Sequence, residues 1–263
     1  QSIKGQLEGI TFGEAQRHRN MAVWPIFSAV DGGPRYLTMK EAMAGGFLSV
    51  TEVSAGGAVP ELKVINSAPE AVLILDWEEL ARAKQNRIVN TTILLRRQSE
   101  TIIPVSCTEQ GRWSYVSSHF DESGHIAAHR VRGAAKQSVS ASLKVGGRFQ
   151  SDQGAMWDNV ASMLRESRVA SPTGAMKDAF ESKAGDIDEY LGKFTRLPGQ
   201  KGLLVLIDGR AAGFDLVSLE GAYAALHPKL VKSYAMEAIA LGGKNGKVTP
   251  DGVPQSFLAE ALA

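Results

Sequence analysis

Charged and amide side chains crowd the stretch from Asp76 to Asn90, which reads Asp-Trp-Glu-Glu-Leu-Ala-Arg-Ala-Lys-Gln-Asn-Arg-Ile-Val-Asn between two apolar runs. Glu78 and Glu79 follow an apolar run directly. Two carboxylates placed there could divide acid and base work if their surroundings separate their pKa values. The competing reading is local pairing of one of them with Arg82 one helical turn away. Gln85, Asn86, Arg87 and Asn90 are harder to explain locally, because asparagine suits neither helix nor strand interiors and needs partners when buried. Such groups either orient a ligand or satisfy backbone atoms at turns. If the segment is helical, Glu79, Arg82, Asn86 and Asn90 share a face; if extended, alternation separates Gln85 and Arg87 from Asn86 and Asn90.

A second polar knot, Cys107-Thr108-Glu109-Gln110-Gly111-Arg112-Trp113, closes the next apolar run. A strand pair could bring the two knots together. The planar donor fork of Arg112 suits phosphate or carboxylate, with pairing to Glu109 as the local alternative. Cys107 has no recognisable family spacing to His119, His125 or His129, and a lone cysteine ending an apolar run reads first as a small core residue. Trp77 and Trp113 border the knots, as stacking surfaces for a base or sugar or as packing lids. Glu78, Glu79 and Glu109 could also hold a hard cation, although carboxylate spacing alone carries little weight and no metal site is assigned. No glycine-rich phosphate loop of the Walker or dinucleotide type is present.

The elements that must position these groups divide by type along the chain. Leu7–Phe12, Met21–Phe27 and Phe47–Val53 read as strands, and Thr38-Met39-Lys40-Glu41 has the form of a capping box opening a short helix that ends at Gly45-Gly46. Glu61–Ile65 with Ala71–Leu75, and Ile88–Leu95 with Thr101–Ser106, read as two hairpins. After about Gly124 the pattern turns helical. Val131–Val145 is helix or irregular, a helix runs from a cap at Ser151 to Arg168, and another runs from near Thr173 to Phe194 with a break at Gly185. Gly202–Ile207 and Ala211–Val217 form a late hairpin around Asp208-Gly209. The last helix, from about Ser218 to Leu241, is expected to split near Pro228. The segment Gly242–Lys247 is expected to be mobile. The fold class is α+β, as one compact domain over 1–263, β-rich over about 5–120 and helix-rich over about 125–263.

Bulk properties bound the function. With 29 basic and 28 acidic residues the net charge is +1, so no global field draws the chain to nucleic acid or an anionic membrane. No apolar run approaches the roughly 18 residues of a membrane span. The single cysteine forms no intramolecular disulfide, which fits a reducing, cytoplasmic setting. Gln1-Ser2-Ile3-Lys4 does not read as a signal peptide, while a start at Gln leaves room for a leader removed before it.

Three runs resemble a known family. Glu78-Glu79-Leu80-x-x-Ala83-Lys84-Gln85-Asn86-Arg87-x-x-Asn90-Thr91, Ile103-Pro104-Val105-Ser106-Cys107-x-Glu109-Gln110-Gly111-Arg112-Trp113 and Lys229-Leu230-x-x-Ser233-Tyr234-Ala235 are similar to those of the ARPP-1 family, named for ADP-ribosylglycohydrolase and rhodanese-phosphatase association. The resemblance spans nearly the whole chain. It implies a bacterial or archaeal protein, an enzyme or a binding protein for ADP-ribosyl, NAD or other nucleotide-type small molecules. It carries Gln85, Asn86, Arg87, Asn90, Gln110 and Arg112 over as ligand-binding residues and Glu79 and Glu109 as the acid or base. No cofactor or oligomeric state follows from it. The alternative is a noncatalytic protein in which the same polar groups form a buried network. The chain departs from the family pattern at Trp77 and Arg82, where smaller residues, glycine among them, are expected.

Overall fold

The computed structural model describes residues 3–29, 33–54, 56, 60–242 and 253–262. The architecture is α+β, with strands dominating the first half and helices the second. The chain divides into two compact units, one built from Gln1–Pro34 with Gly185–Ala263 and one from Arg35–Ala184. The first unit begins with α1 (Ile3–Glu8), β1 (Ile10–Phe12), β2 (Gln16–His18) and β3 (Met21–Ser28).

The second unit opens with β4 (Tyr36–Thr38) and α2 (Met39–Ala44), where the capping box forms as the sequence implies. The Thr38 hydroxyl accepts from the Glu41 amide while the Glu41 carboxylate accepts from the Thr38 amide, and Gly45 caps the far end. β5 (Leu48–Glu52), β6 (Glu61–Asn66), β7 (Ala71–Ile74), β8 (Glu78–Arg82), β9 (Arg87–Val89), β10 (Ile93–Leu95), β11 (Ser99–Cys107) and β12 (Phe120–Ile126) follow. They make a six-stranded sheet ordered β12-β8-β9-β11-β6-β5 and a three-stranded sheet ordered β10-β7-β4.

The hairpin expected of β6 and β7 does not form. β6 pairs with β5 and β11, whereas β7 pairs with β10 and, in parallel, with β4. Asn66 turns the chain from one sheet to the other: its amide nitrogen donates to the carbonyls of Glu70 and Arg96 and its oxygen accepts from the Ala68 amide. The second expected hairpin forms through β9 and β11 alone, β10 having joined β7.

Val50, Leu62, Val64, Val72, Leu80, Val89, Ile103 and Val105 fill the core of this unit. Its helices are α3 (His129–Gly146), α4 (Gln153–Glu166) and α5 (Met176–Ser182). The segment left between helix and irregular structure is therefore helical. The α4 cap is Asp152, whose carboxylate accepts from the Ala155 amide, rather than Ser151, which turns into the interior.

The first unit resumes with α6 (Ala184–Lys193), β13 (Gly202–Ile207), β14 (Arg210–Leu216), α7 (Glu220–Ala240) and α8 (Val253–Leu262). The late hairpin β13–β14 forms and extends a sheet ordered β1-β3-β13-β14, with β2 also against β3. α7 runs unbroken through Pro228, contrary to the expected split. An interior proline costs about 3 kcal/mol in a helix. Burial of α7 on nearly every side, by Leu226, His227, Leu230, Tyr234 and others, outweighs that cost. The segment expected to be mobile, Gly242–Lys247, lies outside the described residues except for Gly242. Among the described residues no helix is long and apolar enough to cross a membrane.

Candidate functional site

The stretch from Asp76 to Asn90 is extended, a β8–β9 hairpin whose strands meet at Glu79↔Ile88 and Leu80↔Arg87. Its backbone is held in an unusual state. Trp77, Arg82 and Ala83 adopt φ values of +68°, +76° and +39°, the left-handed region that favours glycine and costs other residues on the order of 1–3 kcal/mol. Trp77 and Arg82 are the two positions at which the family pattern leads one to expect smaller residues. Strain of this kind persists where surrounding structure fixes it.

At Arg82 and Ala83 that structure is the second knot. Arg112 donates from Nε and Nη2 to the two carboxylate oxygens of Glu109, at 2.9 and 2.6 Å, and from Nη1 to the carbonyls of Ala83 and Ser114. Its Nη2 also reaches the carbonyl of Arg82 and the side-chain oxygen of Asn86. Glu109 accepts further bonds from the Asn86 amide and the Thr173 hydroxyl. Burial pushes the Glu109 carboxyl up, but these donors outweigh it and hold the group below the usual carboxylate range. Asn86 completes the turn by accepting from the Arg82 amide and, through its carbonyl, from the Thr108 amide. The two knots do come together, as a clamp on the hairpin turn.

Strand alternation then separates the remaining candidates. On one face lies Glu79, wholly buried. Its Oε1 accepts from the Thr108 hydroxyl at 2.8 Å, and its Oε2 lies 3.9 Å from Nδ1 of His125 on β12. The His125 ring rests against Phe180 of α5 at 4.5 Å between centroids. Burial pushes the Glu79 carboxyl up to about 7, against the pull of the Thr108 and Ser123 hydroxyls and of Lys177. On the opposite face lies Arg87, paired in register with Leu80 and Cys107. Its Nη1 donates to Oε1 of Gln85 at 2.9 Å and to the Asn86 carbonyl. Burial lowers its pKa.

The other sequence candidates lie in local hydrogen bonds or at the surface. The Asn90 side chain accepts from the Ser106 hydroxyl and donates to the Phe149 carbonyl, and Ser106 bonds Ser151 in turn. Gln110 is exposed, and its carbonyl accepts from Gln85. Cys107 is buried, with its thiol pushed up to about 11 by desolvation, which disfavours the thiolate that nucleophilic chemistry needs. Glu78 accepts from the Leu75 amide on the face opposite Glu79. Among the described residues no group of three or more His, Cys, Asp or Glu is placed to hold a metal ion.

Sequence reasoning missed Thr108, His125, Thr173 and Lys177. Thr173 lies 64 residues from its partner Glu109, and no local pattern announces such a contact. Lys177 lines a surface cleft of about 360 Å³ together with Ala81, Arg82, Asn86, Glu109, Arg112, Val116, Ala175 and Asp178. That volume falls within the roughly 300–1,000 Å³ of small-molecule sites. Arg82 and Lys177, cations of its rim, make surface ion pairs with Asp121 at 3.1 Å and Glu181 at 3.0 Å.

Fold and site together define an α+β protein whose strained polar hairpin is clamped by an arginine–glutamate pair beside a small-molecule-sized cleft. Residues 9–263 match ARPP-1, the ARG and Rhodanese-Phosphatase-superfamily-associated Protein domain, and the chain belongs to that family. No curated protein and no solved structure matches it.

Proposed function

We propose that the cleft beside the β8–β9 turn binds an ADP-ribosyl or nucleotide-type small molecule and that Glu79 exchanges a proton there. The observation that carries this reading is Glu79 itself: a fully buried carboxyl near neutral pKa, oriented by Thr108 and facing His125, on the same strand face as the cleft-lining Ala81. A group poised near the working pH both gives and takes a proton effectively, and perturbed carboxyls beside clefts mark functional sites more often than chance. Arg82 and Lys177 supply the charge for phosphate, since their ion pairs are surface pairs that exchange at little cost. The association with ADP-ribosylglycohydrolase in the family name supports the ligand class. A cytoplasmic setting belongs to the same proposal.

The noncatalytic alternative has an observation of its own. The donors of Arg112 and both oxygens of Glu109 are engaged within the protein, so in that reading these two residues and Asn86 form a buried network that holds the turn and takes no small-molecule ligand. Calorimetric titration with ADP-ribose and with NAD tests it. Binding by the native protein, lost in the Arg82→Ala/Lys177→Ala double variant, is the expected result. No heat and no thermal shift with either ligand at millimolar concentration would sink the proposal.

A further inference from the structure

Arg87 poses a problem that the cleft does not solve. Its side chain is 0% exposed. Nη1 is engaged by Gln85 and Asn86, but Nε and Nη2 have no hydrogen-bond acceptor among the described residues. A buried guanidinium left this way is strongly unfavourable unless something accepts from it. The unengaged edge lies on the face of β9 turned away from Glu79, in a setting rich in groups suited to an anion.

Lys84, almost fully buried, donates to the Gly56 carbonyl at 2.7 Å. Its ammonium lies 5.3 Å from the Trp113 ring and 4.9 Å from the Tyr115 ring. The Trp113 ring also covers Arg87, at 5.5 Å. Two cations thus share one aromatic cover. That cover belongs to the irregular stretch from Gln110 to His119, where Trp113 is 47% and Tyr115 50% exposed. Large apolar rings left half in water over buried cations are placed to move aside or to stack on something planar. Cys107, Glu52 and Glu109 are the acidic groups that act on Arg87 through space, and none of them bonds the unengaged nitrogens.

We propose that Lys84 and Arg87, beneath Trp113 and Tyr115, form an oxyanion site that takes a phosphate group, either free or at the end of a small organic phosphate. The free edge of the guanidinium, Nε with Nη2, offers the parallel donor pair that bridges two phosphate oxygens. The Lys84 ammonium adds a point charge, and the rings close over the bound group. The site lies on the opposite strand face from the cleft and does not depend on the function proposed there.

The test titrates the full chain with inorganic phosphate, phenyl phosphate and acetate, following tryptophan fluorescence and the thermal midpoint. Phosphate is expected to raise the midpoint and acetate to leave it unmoved. Phenyl phosphate binding about tenfold tighter than inorganic phosphate, the size of a modest ring-stacking gain, identifies an organic phosphate as the occupant; equal affinity identifies free phosphate. Arg87→Met is expected to abolish the response and, without phosphate, to melt no lower than the native protein, because an uncompensated charge has gone. Should that variant not fold, Lys84→Gln and Trp113→Ala decide: each is expected to weaken phosphate at least tenfold, while Lys40→Ala at an exposed position of α2 leaves it unchanged. Absence of any phosphate response, or one that survives in both Lys84→Gln and Trp113→Ala, overturns the proposal.

Discussion

At the residue scale, the difference between Glu78 and Glu79 comes from strand parity. Both are buried and both sit at the start of β8, but they point to opposite faces, and on its face burial raises the Glu79 carboxyl to about 7. Below the ordinary value of about 4.5, folded and unfolded chains both carry the Glu79 proton. Between there and about 7 the unfolded chain releases it while the folded chain retains it, so stability contributed at this site falls as pH rises through that window and is level above it. At ~1.4 kcal/mol per pKa unit the loss is on the order of 3 kcal/mol. Glu79→Gln keeps an acceptor for Thr108 and carries no titrating proton. Urea midpoints should therefore show the variant close to the native protein at pH 4.5 and more stable by a few kcal/mol at pH 8. His227, whose pKa burial lowers, loses stability in the opposite direction as pH falls below about 6.5, and this cancels in the difference between variant and native curves. Equal pH profiles for the two proteins would show that Glu79 does not titrate as its burial demands. The sequence made the carboxylate pair visible, but not which member matters, because Thr108 and His125 reach Glu79 across 29 and 46 residues of chain.

At the element scale, the β8–β9 hairpin depends on a partner outside itself. Its turn carries two residues in left-handed backbone, and the Arg112–Glu109 pair stitches that turn to the end of β11 and to Thr173. Glu109→Gln exchanges an acceptor oxygen for a donor facing other donors, and leaves the mostly buried Arg112 charge without its counterion. Breaking a buried pair in this way costs about 3 kcal/mol or more, so the denaturation midpoint should drop accordingly, and hydrogen exchange should quicken first at Arg82–Asn86. A loss under about 1 kcal/mol would mean that the turn holds itself. Legibility followed the range of the interactions involved. The capping box of α2 closes within four residues, so Thr38 and Glu41 announce it. The turn after β6 is equally evident as a turn, but its partner choice depends on Asn66 reaching the carbonyl of Arg96, 30 residues away, which no local pattern encodes. Pro228 misled for a related reason, since the burial that sustains α7 is a property of its neighbours.

At the scale of the whole molecule, the two units differ in how the chain builds them. Arg35–Ala184 is contiguous, whereas the other unit needs both ends of the chain. The contiguous unit contains the clamp, Glu79 with His125, the Lys84–Arg87 pair and the cleft, together with a core of its own running from Met39 to Phe120. At 150 residues it is large enough to bury most of the surface its unfolded chain exposes. Excised as residues 35–184, it is therefore expected to unfold in a single cooperative calorimetric transition and to keep the phosphate response attributed to Lys84 and Arg87. A fragment that fails to fold, set beside a full-length chain with one transition, would instead uphold the sequence-based expectation of one α+β domain over 1–263. The two outcomes place the determinants of the site differently, in 150 contiguous residues or in the fold of the entire chain.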